Sequence, residues 1–293
     1  MEGVKDVVLP FTLFKKGKVR DVFEFEDKLL IVSTDRISAF DFILPSIIPD
    51  KGKILNKISS FWFKLTSEKF TNHIVDHNPS GMAEFSEFKD ILSGRSVLVK
   101  KLKTFPVEAI VRNYIVGSGW KSYTKSGEIS GVKLPEGLVF GQKFGEPIFT
   151  PTTKAEEGHD MNITFKEMKD QIGSEYAEKI RELSISLFKE VSSIAIKKGI
   201  IIADTKFEFG MDESGDIVVC DEIFTPDSSR FWKLEDYKEG EEPPSFDKQF
   251  VRNFLLNSKW DRKSIPPPLP KNVINMTREK YLEIYKILTG ENL

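Results

Sequence analysis

The stretch Ile201–Glu222, IIADTKFEFGMDESGDIVVCDE, alternates charged and apolar residues. Side chains on a strand point to opposite faces in turn. This period of two therefore predicts a strand with Asp204, Lys206 and Glu208 on one face and Thr205, Phe207 and Phe209 on the other. Gly210 and the polar run Met211–Asp216 predict a turn, and Ile217–Cys220 a second strand ending in Asp221 and Glu222. Closing the hairpin near Glu213–Ser214 brings Asp221 across from Lys206 or Glu208. Two readings of this pattern stand side by side. Carboxylates gathered around one lysine on a rigid hairpin suit a hard, oxygen-seeking cation, most often Mg²⁺ carrying phosphates. The same pattern also describes an exposed strand face with ordinary surface ion pairs.

The chain has 293 residues, enough for two lobes or one large domain with a substantial core. A formal net charge of -2 offers no basic excess to attract nucleic acid. The start, MEGVKDVVLPFTLFKKGK, lacks the charged and apolar regions of a signal peptide, and no apolar run approaches the ~18–20 residues that span a bilayer. Cys220 is the single cysteine, which excludes an internal disulfide and cysteine-based zinc sites. The expected setting is a reducing cytoplasm, with neither nucleic acid nor membrane as partner. Monomer and homodimer both stay open.

Lys18–Ser33 reads as two strands about a tight turn at Asp27–Lys28. Asn56 reads as the cap of a helix through about Phe70, with Ile58, Phe61, Trp62 and Leu65 on one face. Ser96–Leu102 and Val107–Val111 are strand-like and flank the break Lys103–Pro106. That break is the expected boundary between an N-terminal sheet lobe, residues 1–104, and a larger lobe, residues 105–293. Gly117–Pro151 reads as a long ordered excursion. Thr164 and Glu167 form a capping box before a short helix. Ile180, Leu183, Leu187, Val191 and Ile194 mark a longer helix that stops at Lys197–Gly199. Two more helices are expected near Phe246–Leu256 and Thr277–Leu288. His73 and His77, four apart, lack both an HExxH frame and a third ligand for zinc. No GxSxG, GxxxxGK[ST], HRD or DFG appears, so serine hydrolase, P-loop ATPase and protein kinase fail at the motif level.

Six segments resemble the SAICAR synthetase family, in order and over nearly the whole chain. They are GKVRDVF (Gly17–Phe23), RISAFD (Arg36–Asp41), PVEAIVRNYIVGS (Pro106–Ser118), FTPTTKAEEGHDMNI (Phe149–Ile163), IIADTKFEFG (Ile201–Gly210) and DEIFTPDSSRFW (Asp221–Trp232). The length and the long excursion resemble the family's longer form. The resemblance implies an α+β protein of two lobes, related to ATP-grasp and kinase-like lobes. Antiparallel sheets are flanked by helices, and the site lies in the cleft. It implies ATP and Mg²⁺, and an activity that joins L-aspartate to the carboxylate of carboxyaminoimidazole ribonucleotide (CAIR), releasing ADP and phosphate. Two rivals are another ATP-dependent carboxylate–amine ligase or small-molecule kinase, and a nucleotide-binding module without catalysis.

The resemblance also implies roles. Gly17, Lys18 and Arg20 cover the ATP phosphates, and Lys101 to Glu108 form the hinge that meets adenine. Glu208 and Asp221 hold Mg²⁺, with Glu208 also at the ATP. Lys206 neutralises charge that develops during transfer, and Asp204 orients Lys206 or touches substrate. Arg112, Ser118 and Arg230 bind CAIR. Ser38 and Asp41 lie near its imidazole, and Thr153 and Lys154 approach the substrates, including the aspartate carboxylates.

Overall fold

The computed structural model describes residues 3–154, 160–246 and 248–293. Strands β1 (Leu13–Lys16), β2 (Arg20–Phe25) and β3 (Lys28–Ser33) make an antiparallel meander whose second turn sits at Glu26–Asp27, one residue before the expected Asp27–Lys28, because Lys28 already pairs with Phe25. A separate hairpin, β4 (Arg36–Ala39) and β5 (Phe42–Ile47), turns through Phe40 and Asp41, both at positive φ. Helix α1 (Lys51–Thr66) follows, then β6 (Ile74–Asp76), the one-turn α2 (Lys89–Leu92) and β7 (Ser96–Lys100). The first sheet runs β1-β2-β3-β7-β6.

Next come β8 (Lys103–Thr104), β9 (Val107–Tyr114), α3 (Gly117–Ser126), the hairpin β10 (Glu128–Ile129) and β11 (Val132–Lys133), β12 (Lys143–Phe149) and β13 (Thr152–Thr153). Helices α4 (Phe165–Ile172) and α5 (Ser174–Lys197) lead into β14 (Ile200–Met211), β15 (Ile217–Cys220) and β16 (Ser229–Lys233). Helices α6 (Gln249–Asn257) and α7 (Lys271–Thr289) complete the described elements. The second sheet is organised on β14: β8 and β9 line one edge, and β15 and β16 share the other.

Phe207 and Phe209 of β14 are buried in the main core, as their shared face predicts. Helix α5 covers that face with Ile180, Leu187, Phe188 and Val191. Ile54, Ile58, Trp62 and Phe63 from α1 join the same cluster, together with Tyr281, Ile284 and Tyr285 from α7. Burying side chains of this size contributes about 1.5–3 kcal/mol each. The helix from the first part of the chain is thus fastened to the core of the second. The capping box at Thr164 and Glu167 is present, with both reciprocal hydrogen bonds.

Three expectations change. Helix α1 begins at Lys51 after Asp50, whose φ is 66°, and not at Asn56; it ends at Thr66, short of Phe70. The carboxylate that satisfies its first turn belongs to Asp35, which accepts from Gly52 N–H at 2.9 Å. Gly52 is required there, because a Cβ would sit 2.2 Å from the Ser33 carbonyl oxygen. Asn56 lies inside the helix and donates to the carbonyls of Gly94 and Ser96, while Leu65 faces solvent. The break Lys103–Pro106 contains β8, which pairs with Gly210–Met211.

His73 and His77 flank the strand β6 rather than riding a helix. The His73 ring is buried edge-on to Phe63, 5.3 Å between centroids. Burial pushes its pKa down from 6.5 to about 3. The unfolded chain takes up this proton near pH 6.5 and the folded chain does not, so stability is full above pH 6.5 and is lost as pH falls toward 3. At pH 4.5 the expected loss from this ring is about 3 kcal/mol. Urea unfolding at pH 7 and 4.5 should show that extra loss in the native protein and not in His73→Phe; equal slopes in the two proteins would show that the ring is not held neutral.

Candidate active site

Strand β14 carries the charged face read from the sequence. Its period of two sets Asp204, Lys206 and Glu208 along one face, and its register places Asp204 between Arg112 of β9 and Arg230 of β16. Glu208 faces Cys220, the last residue of β15. Continuing the ladder would set Asp221 opposite Phe207, but Asp221 turns away at φ 67°. Its carboxylate then meets Arg20, 2.6 Å from the guanidinium, which also holds Glu222 at 3.0 Å.

These residues line two cavities. The first, about 330 Å³, has Gly17, Arg20, Lys101, Lys154, Glu208 and Asp221 at its polar walls, and Val22, Ile31, Val99 and Leu102 as an apolar slot. Gly17 makes a tight turn in its wall: its N–H donates to the Arg20 carbonyl at 2.7 Å, and a Cβ would come within 2.9 Å of that oxygen. Lys101 pairs with Glu24 at 3.0 Å. Glu208 is held by Lys154, and Lys206 lies 3.8 Å away. The second cavity, about 190 Å³, is lined by Arg112, Ser118, Asp204, Lys206 and Arg230 among others. Arg112 donates to Asp204 at 2.9 Å, to Ser118 at 3.1 Å and to Thr150 at 3.0 Å. Arg230 pairs with the same oxygen of Asp204.

Asp204 therefore ties two arginines together, and Lys206 takes its carboxylate from Glu108 instead. The first alternative for Asp204, orienting Lys206, is corrected by this pairing: guanidinium groups on both flanking strands reach it. Glu108 lies behind Lys206, receives Thr152 Oγ1 at 3.1 Å and lines neither cavity. Ser38, on β4, and Lys18 and Asp41, paired at 2.9 Å, also line neither. Thr153 pairs with Val107 and accepts from the Met161 N–H at 3.0 Å. His159 lies outside the described residues.

Charge is unevenly balanced. Burial, with Glu208 and Glu222 adding to it, pushes the Asp221 carboxyl up to about 6 against the pull of Arg20. Burial opposes ionised Glu208 too, yet Lys154 and Lys206 outweigh it and hold the carboxyl below its ordinary value. Burial likewise works against the Lys206 ammonium, and Glu108 and Glu208 more than compensate, raising its pKa. Among the described residues no group of three or more His, Cys, Asp or Glu could hold a metal by itself. Glu208 and Asp221 nonetheless fit Mg²⁺: they offer hard oxygens side by side, and their mutual repulsion is what a divalent cation relieves. The remaining positions would fall to phosphate and water oxygens.

Residues 13–267 match the family model for SAICAR synthetase. The chain is 54% identical, over 99% of its length and 97% of the other, to the phosphoribosylaminoimidazole-succinocarboxamide synthase of Thermodesulfovibrio yellowstonii. The chain belongs to the SAICAR synthetase family. The structure of SAICAR-synthase from Saccharomyces cerevisiae complexed with SAICAR superposes with a TM-score of 0.89, at 43% identity over 99% of both chains. A type-2 SAICAR synthetase in complex with ADP gives 0.71, at 28% identity over 95% of this chain and 98% of that one. The α+β fold read from the sequence is that of these SAICAR synthetases. The activity is the family's: ATP-dependent ligation of L-aspartate to CAIR, giving SAICAR in purine biosynthesis.

Sequence reasoning left three features of this SAICAR synthetase unassigned. Glu222 is the second carboxylate on Arg20; Thr150 fixes Arg112; and Arg252 of α6 lines the second cavity. Glu222 was visible at the hairpin end, whereas Thr150 and Arg252 reach the site only through tertiary structure.

Proposed function

We propose that the first cavity takes ATP with Mg²⁺, that the second takes CAIR, and that phosphoryl transfer occurs between them beside Lys206. One observation carries this reading: a single strand sends Glu208 into one cavity and Asp204 and Lys206 into the other. Residues two apart on a strand are about 7 Å apart, so both sites hang on one rigid ruler. A carboxylate is a poor electrophile. Its oxygen attacks the γ-phosphorus, ADP leaves, the aspartate amine adds to the activated carbon, and phosphate departs. Bound Mg²⁺, held by Glu208 and Asp221, would screen the phosphate charges.

Positioning and charge neutralisation do most of the work. Lys206 and Arg20 offset negative charge around the transferring group, with Gly17 and Lys18 in the loop above the phosphates. The Lys101–Glu108 segment receives the base. Arg112, Ser118 and Arg230 take the CAIR phosphate, and Asp204 sets the spacing of the two arginines. Ser38 and Asp41, on the β4–β5 hairpin, lie toward the imidazole, and Thr153 and Lys154 approach the substrates, Lys154 from the wall of the first cavity. Residues 1–104 and 105–293 act as two lobes about the cleft, with α1 anchored in the larger. The enzyme works in the cytoplasm as a monomer or homodimer; among the described residues no helix is long and apolar enough to cross a membrane.

The test is substrate omission in a coupled ADP assay. ADP release is expected only when CAIR, L-aspartate and Mg²⁺ are all present. Rapid ATP turnover with another acid, and none with CAIR, would overturn the reading.

A further inference from the structure

Behind the second cavity lies a buried charge cluster that the reaction scheme leaves unused. Lys51, at the start of α1, is fully buried and places its Nζ 2.7 Å from Asp227 Oδ2. Lys248, just before α6, reaches the same oxygen at 3.2 Å. Tyr281 of α7 donates its hydroxyl to Oδ1, also at 3.2 Å. Asp227 itself is part of the cavity wall, beside Ser228, Ser229 and Arg230. Three helices and the Pro226–Arg230 segment therefore meet on one carboxylate.

One lysine would neutralise Asp227. Two leave a positive charge over on that carboxylate, and a buried charge needs a partner. Glu222 supplies it from the other side: it acts on Lys51, and because it shares the single guanidinium of Arg20 with Asp221, one negative charge there stands against the second lysine. Lys248 thus places its ammonium directly behind the Asp227 wall of the cavity. Burial opposes the Asp227 charge, yet the two lysines outweigh it and keep the carboxyl far below the usual range.

We propose that Lys248 is a positioning residue for the anionic ribonucleotide: with Lys51 it fixes Asp227 and the Arg230 wall, and its charge behind that wall attracts the substrate's phosphate and carboxylate. This rests on the assignment of the second cavity to CAIR. Nucleotide binding lies in the other cavity and should be indifferent to it.

Lys248→Met separates this from a structural role, because the Lys51–Asp227 pair survives and the fold keeps a neutral cluster. Removing one charge behind the cavity wall, at an effective dielectric near 20, implies roughly a tenfold change in affinity. The expected result is a KM for CAIR raised about tenfold, with kcat and the KM for ATP within about twofold of native. Lys248→Arg should recover most of the loss. Should the methionine variant not fold, Lys248→Gln keeps a donor for Asp227 without the charge and is read in the same way. An unchanged KM for CAIR, or equal rises for CAIR and ATP, would overturn the proposal. Arg230→Ala is the control. If it leaves CAIR binding unaltered, the assignment of the cavity has failed; if it weakens CAIR while Lys248→Met does not, only this inference has.

Discussion

Replacing Asp221 with Asn is expected to lower kcat by about a hundredfold or more while the protein stays folded. Asparagine keeps the shape and accepts from Arg20, but it removes one of the two carboxylates that fit Mg²⁺. Stability should not fall. The Asp221 carboxyl sits near 6, above its unfolded 3.8, so the folded state disfavours the ionised form. A raised carboxyl contributes its full share at low pH and loses it as pH climbs from 3.8 through 6. In metal-free protein at pH 7.5 the variant should melt at or above the native temperature, a gain of no more than about 2 kcal/mol because the group keeps some solvent access. At pH 4 the two should coincide. Activity of the native enzyme should drop below about pH 6, as the proton competes with the cation. Near-normal turnover of Asp221→Asn at limiting Mg²⁺ would remove Asp221 from the metal site.

The contrast between Phe207 and Asp221 shows where local reading ends. Phe207 and Phe209 fall in the core because alternation is a property of the strand itself and needs no knowledge of its neighbours. Asp221 is one residue past a strand end, where a left-handed turn replaces the ladder, and its partner Arg20 comes from the other sheet, 201 residues away in sequence. The same distance hides the cap of α1. Asn56 has the right chemistry for a cap, yet the carboxylate that serves Gly52 arrives from Asp35. The capping box at Thr164 and the stop at Gly199 were legible because both lie within one turn of the helix they bound. In the site, residue types could be read from motifs, but not which charge would pair with which. Lys206 could have taken Asp204 or Glu108; only the register of β9 and β16 against β14 decides it.

That register makes Asp204 the position where stability and substrate binding should fail together. Arg112 is buried to 2% exposure, and burial pulls its pKa down; Asp204 opposes that pull, and Arg230 adds to it. Asp204→Ala leaves two neighbouring guanidinium groups with no carboxylate between them, one in the interior. Stranding a buried charge in this way costs about 3–5 kcal/mol, which should appear as a large drop in the urea midpoint. Asp204→Asn still accepts a hydrogen bond and should lose less, about 1–3 kcal/mol. Its KM for CAIR should nevertheless rise tenfold or more, roughly 1.4 kcal/mol of lost binding, because the arginines lose their common anchor. ATP binding, one cavity away, should change little. Inorganic phosphate offers a decisive control. An anion drawn between Arg112 and Arg230 replaces the missing carboxylate, so phosphate should raise the melting temperature of Asp204→Ala more than that of the native protein. If Asp204→Ala unfolds at the native urea concentration and phosphate affects both proteins alike, then the three-residue ion cluster does not hold this wall, and the CAIR phosphate must be sought elsewhere in the cleft.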